Sequence, residues 1–239
     1  MTAAEVALVI VFTGLGALLQ GSTGIGITLI AGPVLVTIDP GFTPAPLLMA
    51  SQLVGLRHVV AERAHTDRRA VGRCLLGLPL GVAAALAVVA AVDESARALL
   101  VGGATVVACA ALLAGVRPSR TPRTETVGGA SIAFAAVTAS LPGPPAAITF
   151  NDMEPSALRG TLGSYMMFVS TIGLTGLALT GSFGLAELRL IAYLLPGVAL
   201  GLLIARHVRH RLDQNWFRPA VLTVALCGGL VLVGRELLG

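Results

Sequence analysis

Charged residues are scarce in this chain. They make up 12% of its 239 residues, about half of the roughly 25% that is usual in soluble domains. Hydrophobic residues make up 55%, and the mean hydropathy is +0.88. A soluble domain of this composition would expose large apolar patches and aggregate. The composition therefore predicts an all-α, polytopic integral membrane protein whose main partner is the lipid bilayer.

Lysine is absent, and all sixteen basic residues are arginines. The arginines lie mostly in loops between apolar segments, which is typical of membrane-topology signals, and no nucleic-acid-binding motif is present. Nucleic acid is therefore not expected as a partner. A small excess of arginine in the loops on the N-terminal side predicts a cytoplasmic N-terminus. We expect a multi-pass protein of the cell membrane, the inner or plasma membrane of a bacterium. The oligomeric state stays open.

Catalytic, metal-binding and nucleotide-binding patterns are also missing. Cys74, Cys109 and Cys227 are scattered singly, so we expect small core residues rather than a disulfide or a zinc site. The four histidines lie near loops or segment ends, and no nucleophile–base pair or HExxH motif accompanies them. The chain has no GxxxxGK[ST] motif. The sequence thus predicts neither an enzyme nor a cofactor.

Long apolar segments are what the chain does contain. The first one, 5–37, would span about 50 Å as a straight helix, whereas the hydrocarbon core is about 30 Å thick. This segment must therefore tilt, break or fold back. We count eight segments: 5–37, 44–62, 72–92, 97–116, 127–150, 156–181, 185–205 and 216–238.

Two interruptions rich in glycine or proline break these segments. One is Gly21-Ser22-Thr23-Gly24-Ile25-Gly26, and the other is Leu141-Pro142-Gly143-Pro144-Pro145. Non-helical backbone at membrane depth persists only where protein buries it or a polar cavity solvates it. A matched pair of breaks in two halves of a chain is the best sequence indicator of a transporter's binding site.

The two halves share landmarks in the same order. Gly24 corresponds to Gly143, Asp39 to Asp152, Pro44 to Pro155, and Leu78-Pro79 to Leu195-Pro196. We therefore predict two related four-segment repeats that pack face to face, each with a broken first segment. The domains are an N-terminal repeat at 1–116, a polar linker at 117–126 and a C-terminal repeat at 127–239.

The breaks suit an anion. Unwound backbone exposes N–H groups, and a helix that starts after the break directs its positive end at the gap. Hydroxyl groups lie nearby, whereas neither break contains a basic residue; the hydroxyls belong to Ser22, Thr23, Thr28, Ser140 and Thr149. The alternative is that the glycines only allow close helix packing.

Several polar residues outside the breaks have two interpretations each. Arg159 could contact an anion or a loop carbonyl, or extend to lipid headgroups. Gln20 could be a ligand, or could join Ser51 and Gln52 in interhelical hydrogen bonds. Arg57 and His58 are expected at the far interface, with substrate contact as the alternative, and His58 could also relay a proton.

The remaining candidates are expected in supporting positions. Asp39 and Asp152 are expected to cap loops, with cation coupling as the alternative. Tyr165 and Ser164 could line a cavity or pack in the core. The basic run 206–211, followed by Trp216, indicates an interfacial anchor.

These motifs resemble those of the TauE/SafE sulfite exporter family. The first interruption with Pro33 resembles the family's first signature, and Leu141-Pro142-Gly143-Pro144-Pro145 resembles its second. Arg159 with Thr161, and Pro196-Gly197 with Gly201, resemble two further family positions. Ser22, Ile25 and Ile27 interrupt the first motif, and Ser140 stands where a glycine is expected. The resemblance implies a small permease for sulfite or organosulfonates, driven by an ion gradient.

We therefore expect export of a small anion, sulfite or an organosulfur anion, by alternating access. The alternatives are a transporter or channel for another small organic anion, and an accessory membrane protein without transport activity. The predicted substrate-binding residues are Gln20, Gly21, Ser22, Thr23, Gly24, Gly26, Ser140, Pro142, Gly143, Pro144, Pro145 and Arg159.

Overall fold

The computed structural model describes residues 1–93 and 118–208 continuously, with some positions of 96–115 and 223–234. This part of the chain is helical and contains no strand, which confirms the all-α prediction. The eight continuously described helices are α1 (Ala3–Thr23), α2 (Ile27–Ile38), α3 (Ala45–Ala61), α4 (Arg68–Ala91), α5 (Pro122–Ala139), α6 (Gly143–Thr149), α7 (Pro155–Leu179) and α8 (Leu185–Val208).

Four of these helices are long and apolar enough to cross a membrane. They are Ala3–Thr23, Arg68–Ala91, Pro155–Leu179 and Leu185–His207. The expected segments 97–116 and 216–238 lie largely outside the described residues. The structure therefore supports a multi-pass membrane protein, whereas the eight crossings and the domain boundaries remain predictions.

The first apolar segment folds back on itself. Gly24 and Gly26 have φ angles of 92° and 137°, which glycine adopts without the steric cost that a Cβ brings. The chain reverses there, and α2 returns along α1. A Cβ atom on Gly16 would lie only 2.6 Å from the Ile27 carbonyl oxygen. Of the three possibilities for this segment, the structure thus selects the helical hairpin.

The second broken segment is also a hairpin. Helix α5 ends at Ser140, whose φ angle of 54° is left-handed, and α6 begins at Gly143. Pro144 and Pro145 occupy the first turn of α6, where a missing N–H leaves no helical bond unmade. A Cβ on Gly128 would overlap Thr149, so α6 returns along α5.

Glycines set the closest helix contacts. Helices α1 and α8 pack through Gly14, Gly197 and Gly201, and they run parallel, because Gly14 lies near Gly197 and Gly21 lies near Ala205. Helices α4 and α5 also run parallel and pack through Gly77, Gly81 and Gly129. Small residues allow this approach of backbones.

The two hairpins start from opposite ends of the bundle. Helix α1 ends beside the start of α7, because Arg159 reaches the Ser22 carbonyl. Helix α5 begins at that same end, because Arg120 just before it pairs with Asp67, whose N–H donates to Thr161 of α7. Helices α1 and α5 therefore run in opposite directions.

Candidate functional site

The turns of the two hairpins meet. A Cβ on Gly143, at the start of α6, would overlap the Ile25 side chain in the first turn and lie 3.8 Å from Leu29 Cδ1. A cavity of about 20 Å³ lies at this contact, with room for about one water molecule. Its lining residues are Gln20, Gly24, Ile25, Gly26, Ile27, Thr28, Leu29, Ser51, Ser140, Leu141, Pro142, Gly143, Leu162 and Met166.

Gln20 joins the first break to α3. Its Nε2 donates to Ser51 Oγ at 3.0 Å, and its Oε1 accepts from the Ile27 N–H at 3.1 Å. The interhelical hydrogen bond expected for Gln20 and Ser51 is therefore confirmed, and Gln52 makes a similar one to Thr171 at 3.3 Å. Gln20 also lines the cavity. Its hydrogen bonds therefore hold the turn of the first hairpin in place beside the cavity.

Ser140 fixes the turn of the second hairpin. It is fully buried, and its hydroxyl donates to the Pro44 carbonyl just before α3. Its left-handed backbone ends α5. Since Ser51 and Pro44 belong to α3 or its immediate start, this helix anchors both turns around one cavity.

Thr28 is a buried hydroxyl at the start of α2. Its side chain lines the cavity, and its Oγ1 has no hydrogen-bond partner among the described residues. The residue before α2 is Gly26, which has no side chain to cap the helix, and Gln20 accepts only from the N–H of Ile27, the first helical residue. The first N–H groups of a helix lack partners within it, and the helix dipole makes that end positive. The cavity thus combines a helix N-terminus with an unpaired hydroxyl.

The cavity walls are otherwise neutral. No charged side chain is among its lining residues in the described part of the chain. Apolar surface comes from Ile25, Leu29, Leu162 and Met166. It lowers the local dielectric constant, which strengthens the electrostatic interactions of the polar groups that remain. Sequence analysis missed these four residues, because apolar residues of a membrane helix look alike until the fold selects which ones face the cavity.

Six of the twelve predicted site residues are not among the lining residues. Gly21 packs on α8, and the hydroxyls of Ser22 and Thr23 donate to the carbonyls of Leu18 and Leu19 in the preceding turn of α1. Pro144, Pro145 and Arg159 are the others. The Thr149 hydroxyl also donates within its own helix, to the Pro145 carbonyl.

Arg159 reaches a carbonyl and a carboxylate. Its Nη1 donates to the Ser22 carbonyl at 3.0 Å, and its Nε and Nη2 donate to Glu62 Oε1 at 3.0 and 2.7 Å. Arg159 thus contacts a backbone carbonyl, but that carbonyl belongs to the last turn of α1 and not to a loop as considered above. Sequence analysis missed Glu62, although an acid at the end of one apolar segment and an arginine at the start of another are a signal that could have suggested the pair.

His58 contradicts one expectation. It is 3% exposed on α3, and its Nε2 has no hydrogen-bond partner among the described residues. It therefore does not extend to the interface, because the face of α3 that carries it packs against Gly163 of α7. Arg57, which precedes His58 in the helix, is only partly buried and lies near Gly21.

The loop acids and Tyr165 have structural contacts. Asp39 accepts from the Gly41 N–H at 2.8 Å, as expected of a turn residue, and Asp152 pairs with Arg120 at 3.2 Å. Tyr165 is fully buried and donates to the Gly129 carbonyl at 2.7 Å, so it packs α7 against α5 instead of lining the cavity. Beyond Arg206 and His207, which are exposed, the basic run lies outside the described residues.

Comparison with known proteins identifies the family. The family model for the sulfite exporter TauE/SafE matches residues 8–232, nearly the whole chain. A search of curated proteins finds no match, and neither does a search of solved structures. The long match, together with apolar helices that can cross a membrane, shows that the chain belongs to the sulfite exporter TauE/SafE family of membrane transporters.

Proposed function

We propose that this protein exports sulfite or a small organosulfonate across the cell membrane. The observation that carries the proposal is the meeting of the two hairpin turns at one cavity. Paired breaks of this kind form the substrate sites of transporters built from repeats. Membership in a sulfite exporter family favours a sulfur-containing anion over other small anions.

Neutral dipoles would hold the anion. The start of α2, the Thr28 hydroxyl and the amide of Gln20 all lie at the cavity. Helix N-termini and hydroxyl groups bind anions without a full countercharge. Such binding suits a transporter, because a substrate held only by neutral groups can leave on the other side of the membrane.

The opposed hairpins favour alternating access. Helices α1 and α5 start from opposite ends of the bundle, which is the relation expected of inverted repeats. We propose that the two four-segment units are such repeats and that they rock about the cavity. At about 20 Å³ the cavity has room for about one water molecule, so the hairpins must separate to admit an anion.

An ion gradient would drive the export. The chain has no nucleotide-binding motif of the P-loop type, which favours the membrane potential or a proton gradient as the source of energy. A potential that is negative inside the cell would by itself expel an anion.

Uptake of labelled sulfite into everted membrane vesicles tests this function. Vesicles containing the protein should accumulate sulfite when a membrane potential or a pH gradient is imposed, and vesicles from the same host without the protein should not. The proposed function is wrong if vesicles that contain inserted, folded protein accumulate neither sulfite nor any of a panel of organosulfonates.

A further inference from the structure

An ion pair lies beside the candidate site. Arg159 of α7 donates to Glu62, which follows the last residue of α3, and to the Ser22 carbonyl near the end of α1. The side chains of Arg159 and Glu62 are only 12% and 9% exposed. One guanidinium therefore connects the ends of three helices, drawn from both halves of the chain.

The same guanidinium belongs to a side chain that packs against the cavity wall. Gly24 lines the cavity, and a Cβ on Gly24 would lie 3.0 Å from Arg159 Cγ. The lining residues of the described cavity are uncharged. Arg159 packs on the cavity wall through its Cγ, while its positive charge pairs with Glu62. A shift of this side chain past Gly24 would expose that charge to an anion in the cavity.

The Glu62 carboxylate and a transported oxyanion would pair with the Arg159 guanidinium in the same way. The planar fork of a guanidinium pairs with carboxylates and with other oxyanions in the same way. A buried charge that loses its partner is strongly destabilising. Arg159 can therefore leave Glu62 only when another anion takes its place, and the buried Glu62 can lose Arg159 more easily once a proton neutralises it.

We propose that Glu62 competes with the transported anion for Arg159 and that a proton binding to Glu62 releases the guanidinium. The proton forms an O–H bond on the Glu62 carboxylate as the ion pair opens, and it returns to water when the pair forms again. This inference rests on the proposed function. Its consequence is that the affinity for the anion rises as the pH falls, because anion and proton favour the same open pair.

Other titratable groups lie around Glu62, and the experiment must distinguish their titration from that of Glu62. His65, in the connector that follows α3, has its Nδ1 3.6 Å from Glu62 Oε2, and its side chain is exposed. Helix α3 contributes the buried His58 and the partly buried Arg57, and α7 contributes Arg159. At the same end of the bundle, Arg120 pairs with Asp67, Glu125 and Asp152. Arg63 adjoins Glu62 in sequence, and Arg206 and His207 follow Ala205, which lies near Gly21.

Calorimetric binding of methanesulfonate to the purified full-length protein tests the competition. Methanesulfonate stays ionised from mildly acidic to mildly alkaline buffer, so any pH dependence belongs to the protein. The wild type should bind it more tightly as the pH falls. Glu62→Gln keeps the shape and an accepting oxygen but carries no charge, so its affinity at neutral pH should be about tenfold higher, a coupling of ordinary size, and independent of pH.

Matched variants separate the alternatives. His65→Gln should keep the wild-type pH dependence, and Arg159→Lys should bind more weakly because it lacks the fork. Glu62→Asp should bind with intermediate affinity and still respond to pH, which provides a second test if Glu62→Gln does not fold. Thermal melts at each pH check that the variants are folded.

Four results would overturn the competition, and three of them concern the variants. One is a Glu62→Gln protein that keeps the wild-type pH dependence, and another is a folded Glu62→Gln protein that binds more weakly. The third is a loss of pH dependence in His58→Gln instead. The fourth is an absence of methanesulfonate binding by both the folded wild type and folded Glu62→Gln. If vesicles still accumulate sulfite beside any of these results, the proposed function stands. If the vesicles accumulate none, the proposed function itself is wrong.

Discussion

Two buried threonines differ in one respect that matters for function. The hydroxyls of Thr13 and Thr28 are both buried without a hydrogen-bond partner among the described residues. Thr28 lines the cavity, whereas Thr13 lies on α1 where Gly197 of α8 packs against it. An unpaired buried hydroxyl costs about 1–3 kcal/mol. Under the proposed function, a substrate that accepts the hydrogen bond of Thr28 would offset this cost.

Thr28→Val and Thr13→Val make the same chemical change at the two positions. Both variants should melt at the wild-type temperature or above it, because each removes an unsatisfied polar group. Only Thr28→Val should lose affinity for the anion, by about tenfold, since a hydrogen bond to a charged group contributes about 1.5–3 kcal/mol. Equal anion affinity in the two variants, measured by calorimetry, would remove Thr28 from the site.

Single residues could be predicted from the sequence where the reason was local. Gln20 adjoins the first break, so both of its expected roles followed from its position. The pairing of Arg159 with Glu62 joins residues 97 positions apart. Their positions at segment ends are compatible with a pair, but only the fold brings these two ends together. The burial of His58 depends in the same way on the helix that packs over it.

Helix α4 begins with a capping interaction that a variant pair can test. Asp67 accepts from the N–H groups of Arg69 and Ala70, each at 3.0 Å. The Ala70 N–H is the main cause of the lowered pKa of Asp67, burial opposes it, and Arg120 lowers the pKa further. The folded state therefore gains stability above the ordinary pKa of aspartate, and that gain is lost as the pH falls through the lowered value.

Asp67→Ala should lower the free energy of unfolding by about 1 kcal/mol, the usual cost of losing an N-cap. Asp67→Asn keeps an accepting oxygen but loses the charge that faces Arg120 at 3.3 Å. It should therefore retain most of the stability. Thermal melts at neutral pH compare the two, and an equal loss in both variants would assign the effect to the ion pair instead of the cap.

Close helix contacts at glycine can be tested on α8. A Cβ on Gly201 would overlap the Gly14 carbonyl of α1, whereas Gly72 on α4 is exposed with nothing within 4 Å. Gly201→Ala should destabilise the protein by about 1–3 kcal/mol through overpacking. Gly72→Ala should stabilise it slightly, because alanine is the better helix former. A melt in which both variants behave alike would contradict the close contact of α1 and α8.

The breaks between elements were more predictable than their geometry. Glycine and proline chemistry located both interruptions, but it did not decide whether the first segment tilts, breaks or folds back. The reversal depends on two positive φ angles close together, at Gly24 and Gly26. The apolar segment predicted from residue 127 also begins later than α5, which starts at Pro122. Apolar composition does not indicate the Thr121 cap that precedes the helix.

At the scale of the whole molecule, the order of landmarks predicted a relation between the halves but not their orientation. Matching positions in two halves leave open whether the units run the same way or are inverted. The direction follows from contacts between distant ends, such as Asp67 with Thr161 and Arg159 with Ser22. Those contacts bring two neutral breaks into one cavity, which is the basis of the proposed transport.

Sulfite accumulation in everted vesicles that carry Gly143→Leu tests that basis most directly. A side chain at Gly143 would collide with Ile25 and hold the two turns apart, whereas Gly72→Leu adds the same side chain at an exposed position with open space around it. Both variants should insert like the wild type. We predict that Gly143→Leu loses gradient-driven accumulation and Gly72→Leu keeps it; accumulation by Gly143→Leu at the wild-type rate would contradict a substrate site between the hairpins.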